Sequence, residues 1–104
     1  LYVVTRNDLS PGQQAVQSMH ALRQFTADHP EIDKNWFEKS NYLGLLSVND
    51  EGELFKLIER AEKNNIRFSI FKEPDIGDKV TAIALEPGPL TKKLCSNLKL
   101  ALKS

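Results

Sequence analysis

LYVVTRNDLSPGQQAVQSMHALRQFTAD, residues 1–28, is the stretch whose reading decides the fold. LYVVT (1–5) is β-branched, aliphatic and aromatic and predicts a fully buried strand, ended by Asn7 and Asp8. Ser10-Pro11-Gly12-Gln13 then has the chemistry of a helix start. Ser at the N-cap accepts from a free backbone N–H, Pro at the first helical position lacks the N–H that would go unpaired, and Gln at the third reaches back to the cap. The helix is expected to run to about Asp28, before His29-Pro30. Ala15, Val16, Met19, Leu22 and Phe25 recur at helical spacing and are expected to face inward. A buried strand feeding straight into a capped amphipathic helix opens an α/β domain.

Outward from this stretch, residues 29–41 read as a polar connection with at most a short helical turn. Its Trp36-Phe37 pair either pins the connection to the core or offers a stacking surface. YLGLLSV (42–48) is a second strand, and Asp50 with Glu53 caps a helix over 51–64 with Leu54, Leu57, Ile58 and Ala61 inward. IRFSIF (66–71) and VTAIAL (80–85) are strands joined by the turn-forming Glu73–Asp78. On the last strand, alternation places Thr81 on the same face as Ile83 and Leu85. Pro87-Gly88-Pro89 breaks the chain before a final helix over 90–102, with Leu94, Leu98, Ala101 and Leu102 as its apolar stripe. The order is β-α-β-α-β-β-α. Strands separated by helices pair in parallel, and the short gap between the third and fourth strands calls for an antiparallel hairpin. A single domain over 1–104 with a mixed four-stranded sheet covered by helices follows.

Composition narrows the function classes. Fourteen Lys plus Arg balance fourteen Asp plus Glu, which excludes a strong, indiscriminate nucleic-acid binder. The neutrality is a cancellation. Residues 1–49 carry four basic and five acidic side chains, residues 50–88 six and nine, and residues 89–104 four lysines with no acid. A single cysteine, Cys95, precludes an internal disulfide and a cysteine zinc cluster. No apolar run approaches the ~20 residues of a membrane helix, and no secretory signal opens the chain, so a cytoplasmic protein is expected.

Gln13, Gln17, His20 and Gln24 fall on one stripe of the first helix, which the spacing places opposite the apolar face. Such a stripe is either an uncharged outer surface or a polar surface that meets a ligand beside free N–H groups. VVTRNDLSPGQQAVQSMHA resembles the opening of the type II peptidyl-tRNA hydrolases. In that family an apolar strand leads to Arg-x-Asp-Leu, Gly-Lys and Ala-Ala-Gln-x-x-His-Ala. Arg6, Asp8, Leu9, Gly12, Gln17, His20 and Ala21 match in order, and TAIALEPGP (81–89) resembles the family's last strand with its Gly-Pro-Gly-Pro ending.

The resemblance implies a three-layer α/β/α sandwich and metal-independent, cofactor-free hydrolysis of the ester between a peptide and the tRNA 3′ end. Carried over residue by residue, the family's lysine position is Gln13, its aspartate is Glu73 or Asp75, and its final threonine is Thr81. His20 is a candidate base. Arg6 and Gln17 are assigned to the substrate, and Lys92 and Lys93 of the basic last helix to tRNA phosphates. Gln13 departs from the family: an ionised donor makes a bond about twice as strong as a neutral amide does. Each of these residues also has a structural reading: Gln13 as capping partner of Ser10, His20 as a helix hydrogen-bonding residue, Thr81 as core, and Glu73, Asp75 and Asp78 as an exposed turn. Two other functions stay open on the sequence, a non-catalytic RNA- or protein-binding module on the same fold and a small amino-acid-binding regulatory domain. A homodimer is compatible with either.

Overall fold

The computed structural model describes residues 1–103. Strand β1 (Tyr2–Arg6) leads into helix α1 (Pro11–Asp28), then α2 (Pro30–Lys39), β2 (Gly44–Val48), α3 (Glu51–Lys63) and β3 (Phe68–Glu73). A single 3-10 turn (Pro74–Ile76) joins β3 to β4 (Lys79–Leu85), which is followed by α4 (Pro89–Leu94) and β5 (Lys99–Leu100). The sheet order is β3-β4-β1-β2-β5. β1 and β2 are parallel, with Val4 opposite Leu46, while β4 runs antiparallel to both β1 and β3.

One face of the sheet packs Val3, Ala82 and Ala84 against Ala21 and Phe25 of α1 and Trp36 of α2. The other packs Val4, Ile83 and Leu85 against Leu54, Leu57 and Ile58 of α3 and Leu94 beyond it. This is the expected three-layer sandwich. At about 25 cal/mol per Å² of apolar surface, these two clusters supply the main drive to fold.

Four expectations change. α2 is a ten-residue helix rather than a connection. Pro30 at its first position, Glu31 and Asp33 in its first turn and Lys39 in its last are ordinary helix signals. Its apolar pattern is only Ile32 and Trp36, too sparse to stand out. Trp36 is buried with its Nε1 donating to Tyr42 O (2.6 Å), and Phe37 is exposed.

The last helix stops at Leu94, and Lys99–Leu100 instead forms a fifth strand on the free edge of β2. Ser96 and Asn97 are poor helix formers, and Ala101 N–H donates to Leu45 O (3.0 Å), so edge pairing satisfies backbone groups that a longer helix would leave in solvent.

The third change concerns the inward face of α1. Gln14, Gln17, Ser18, Ala21 and Phe25 are buried, whereas Val16 and Met19 are 44% and 62% exposed. The polar residues on the buried face bond to the sheet beneath, to the helix's own backbone or to the loop before it. Ser18 Oγ donates to Gln14 O (2.7 Å), Gln14 Nε2 to Leu9 O (2.7 Å), and at the far end Ser69 Oγ to Asp28 Oδ2 (2.7 Å). Small residues on the strands below, Ala82 and Ala84, let the helix sit close.

The fourth is the face of Thr81. Phe71 pairs with Ala82 but Lys72 pairs with Val80, so Thr81 is the extra residue of a β-bulge. The bulge breaks the alternation. Val80 and Ile83 both face the α3 layer, while Thr81 turns to α1.

Candidate active site

The bulge places Thr81 at the base of a cavity of about 320 Å³. α1 supplies Gln13, Val16, Gln17 and His20 to its walls, and the end of β3 and the turn after it supply Glu73, Asp75 and Ile76. Thr81 is fully buried and Gln17 is 7% exposed. Thr81 Oγ1 and Gln17 Oε1 are 2.6 Å apart, and Gln17 Nε2 donates to Glu73 Oε2 at 2.9 Å. The direction of every proton in this chain is determined. An ionised carboxylate only accepts, so the Gln17 amide must present Nε2 to Glu73 and Oε1 to Thr81. The one O–H of Thr81 is therefore spent on Gln17. Thr5 Oγ1 donates to Thr81 O (3.0 Å) and holds the bulge from β1.

Glu73 is held ionised. Donation from Gln17 lowers its pKa most, and the Asp75 backbone N–H (3.3 Å) helps. Burial opposes these effects without overcoming them. His20 lies on the exposed side of α1, its ring stacked on Phe71 at 4.4 Å with the planes 9° apart. Gln13 serves the helix and faces the cavity together. Its Oε1 accepts from Ser10 N–H (3.2 Å) and its own N–H donates to Ser10 Oγ (3.3 Å), a complete capping box. Its Nε2 has no partner among the described residues and is a free donor.

The model of the family "Peptidyl-tRNA hydrolase PTH2" matches residues 1–101. The chain belongs to this family. A peptidyl-tRNA hydrolase of Thermococcus sibiricus is 32% identical over 94% of the chain and 93% of its own length, and one of Thermococcus onnurineus 31% over the same shares. A solved structure of a protein of unknown function from Agrobacterium tumefaciens superposes with a TM-score of 0.72 at 16% identity, covering 95% of this chain and 94% of that one. At that identity it supports the fold alone.

Of the residues carried over from the peptidyl-tRNA hydrolase pattern, Gln13, Gln17, His20, Glu73, Asp75 and Thr81 converge on the one cavity. Glu73 rather than Asp75 is the carboxylate bonded to Gln17. Arg6 lies elsewhere: its Nε and Nη2 grip Asp8 at 3.0 and 2.9 Å and its Nη1 donates to Val80 O, a clamp on the turn after β1. That pairing raises the Arg6 pKa and lowers that of Asp8. Lys92 and Lys93 sit on α4, in the layer of α3, and line no part of the cavity. The sequence reading matched Leu9 to the family motif without giving it a place at the site, and missed Val16 and Ile76; these three are the apolar part of the wall. Val16 had the signal of a core residue, and only the rotation of α1 brings it to the site. Among the described residues, no three His, Cys, Asp or Glu side chains gather as a metal site. No described helix is long and apolar enough to cross a membrane.

Proposed function

We propose that the chain hydrolyses the ester joining a peptidyl or N-acylaminoacyl group to the 3′ end of tRNA, without calling on a metal. The observation that carries the reading is the Thr81–Gln17–Glu73 chain of hydrogen bonds, which fixes an ionised carboxylate at the wall of an open cavity.

Glu73 accepts a hydrogen bond from the attacking water and orients it. With its pKa depressed it is a poor proton acceptor, so His20, the one imidazole lining the cavity, takes the proton as the water oxygen bonds to the ester carbonyl carbon. The free Nε2 of Gln13 donates to the developing oxyanion. The ester C–O bond then breaks, the ribose oxygen leaves with the proton from His20, and the acyl group departs as a carboxylic acid that gives its proton to solvent. Thr81 is a positioning residue acting through Gln17. Leu9, Val16 and Ile76 form the apolar surface for the acyl side chain. Family membership does not favour the two other functions left open by the sequence.

The test is incubation of purified, folded protein with N-acetyl-aminoacyl-tRNA in the presence of EDTA, with release of the acyl group followed over time. Release above the spontaneous rate is expected. Its absence at high enzyme concentration rejects the reading.

A further inference from the structure

A second concavity lies beside the first turn of α1. Two cavities of about 280 and 930 Å³ share Asn7, Ser47 and Lys99 and form one trough. Consecutive residues of α1 divide the sites, Gln13 lining the ester cavity and Gln14 the trough. Asn7 follows β1, and Val48 and Asn49 end and follow β2, so the trough opens beyond the carboxyl ends of two adjacent parallel strands. From there the chain leaves β1 for α1 on one face and β2 for α3 on the other. In open α/β sheets that crevice is where ligands bind, because the two departing connections leave a gap between them.

The charge of the trough names the ligand. Lys56 and Arg60 from α3 and Lys99 and Lys103 from the chain's last segment line it. None of the four is in an ion pair among the described residues. Its one carboxylate, Glu53, is turned to the backbone, accepting from Asn49 N–H at 2.6 Å. Gln14, 6% exposed, spends Nε2 on Leu9 O and leaves Oε1 as a buried side-chain acceptor without a partner among the described residues. Four cations along two joined cavities fit a chain of phosphates better than one compact anion. The ester cavity is the converse, with Glu73 and Asp75 in its lining and neither lysine nor arginine. A polyanionic substrate is repelled there and needs its phosphates held elsewhere.

We infer that this trough holds the sugar–phosphate backbone of tRNA next to its esterified 3′ end, so that the strand crosses the first turn of α1 on its way to Gln13. The direction of the strand rests on the proposed hydrolysis; the binding of RNA does not. The test measures affinity for deacylated tRNA by fluorescence anisotropy over a series of KCl concentrations. It compares wild type, Lys99→Ala/Lys103→Ala and, as a charge-matched control on α2, Lys34→Ala/Lys39→Ala. The trough variant should weaken binding on the order of tenfold at 0.1 M salt and lower the slope of log K against log salt by about 1.4–1.8. In hydrolysis it should raise KM with kcat unchanged, and the control should move neither. Equal losses in the trough variant and the control, or a slope unchanged from wild type, overturn the inference. A wild type that binds tRNA through these lysines but hydrolyses nothing rejects the proposed function and leaves the trough standing. Hydrolysis that is indifferent to the trough variant does the reverse.

Discussion

If Thr81 acts only by orienting Gln17, then Thr81→Val and Gln17→Leu remove the same thing, and their effects on catalysis must not multiply. Valine keeps the shape of threonine and deletes the donor. Gln17 Oε1 then loses its 2.6 Å partner inside a residue that is 7% exposed. An unsatisfied buried acceptor costs about 1–3 kcal/mol, so melting should fall by several degrees. In catalysis the freed amide no longer holds Glu73. A hydrogen bond to a charged group contributes about 1.5–3 kcal/mol, so kcat/KM should drop roughly ten- to a hundredfold. Gln17→Leu should cost a similar factor. The double variant should lose no more activity than the worse single one, and its loss of stability should be smaller than the sum of the single losses, since neither partner is left orphaned. Thr81→Ser keeps the O–H and should retain activity within a few-fold. The assay is hydrolysis of N-acetyl-aminoacyl-tRNA with kcat and KM separated, alongside thermal melting. Multiplicative loss in the double variant, or a serine variant as impaired as the valine, would refute the positioning role and put Thr81 in contact with the substrate.

Gln13→Lys removes the Oε1 that accepts from Ser10 N–H, so about 1 kcal/mol of stability should be lost. It also adds an ionised donor beside the ester, so kcat/KM should rise; a lower rate in a folded variant contradicts the role of Nε2. The pKa of Glu73 is lower in the folded chain than in the unfolded one, so its bond to Gln17 stabilises the fold above the ordinary glutamate value and is lost as pH falls through the depressed one. The melting difference between wild type and Glu73→Gln should therefore be constant from pH 5 to 7 and shrink in more acid solution; a gap that widens on acidification contradicts this. Burial raises the Cys95 thiol to about 11 and leaves it 4% exposed. Iodoacetamide at pH 8 should modify it more than about a hundredfold slower than a free thiol, with ordinary reactivity returning in urea. Rapid alkylation of the folded chain would show that Cys95 is not enclosed.

The sequence by itself determined whatever depends on near neighbours along the chain. The capping box of Ser10 and Gln13, the β-branched apolar runs of β1 and β4 and the break at Pro87-Gly88-Pro89 are local chemistry, and the elements they predict are present. The ordered motif pieces also carried the family, because they span the chain from Arg6 to Pro89. The tertiary structure decided what depends on partners far apart in sequence. Gln17 belonged by pattern to an outer stripe and is buried, because Thr81, sixty-four positions away, offers it a hydroxyl. Thr81 itself faces the site only through a bulge that its strand's alternation does not announce. The basic segment behaved likewise. Read as a helix over 90–102, the segment gathered its lysines at one end of the chain, but the free edge of β2 captured Lys99 and Leu100 as a strand. That pairing carries Lys99 and Lys103 away from Lys92 and Lys93 and sets them in one trough with Lys56 and Arg60. Burial and backbone pairing are settled between whole elements, so the order of the sheet, rather than spacing along the chain, determined which charges and amides meet.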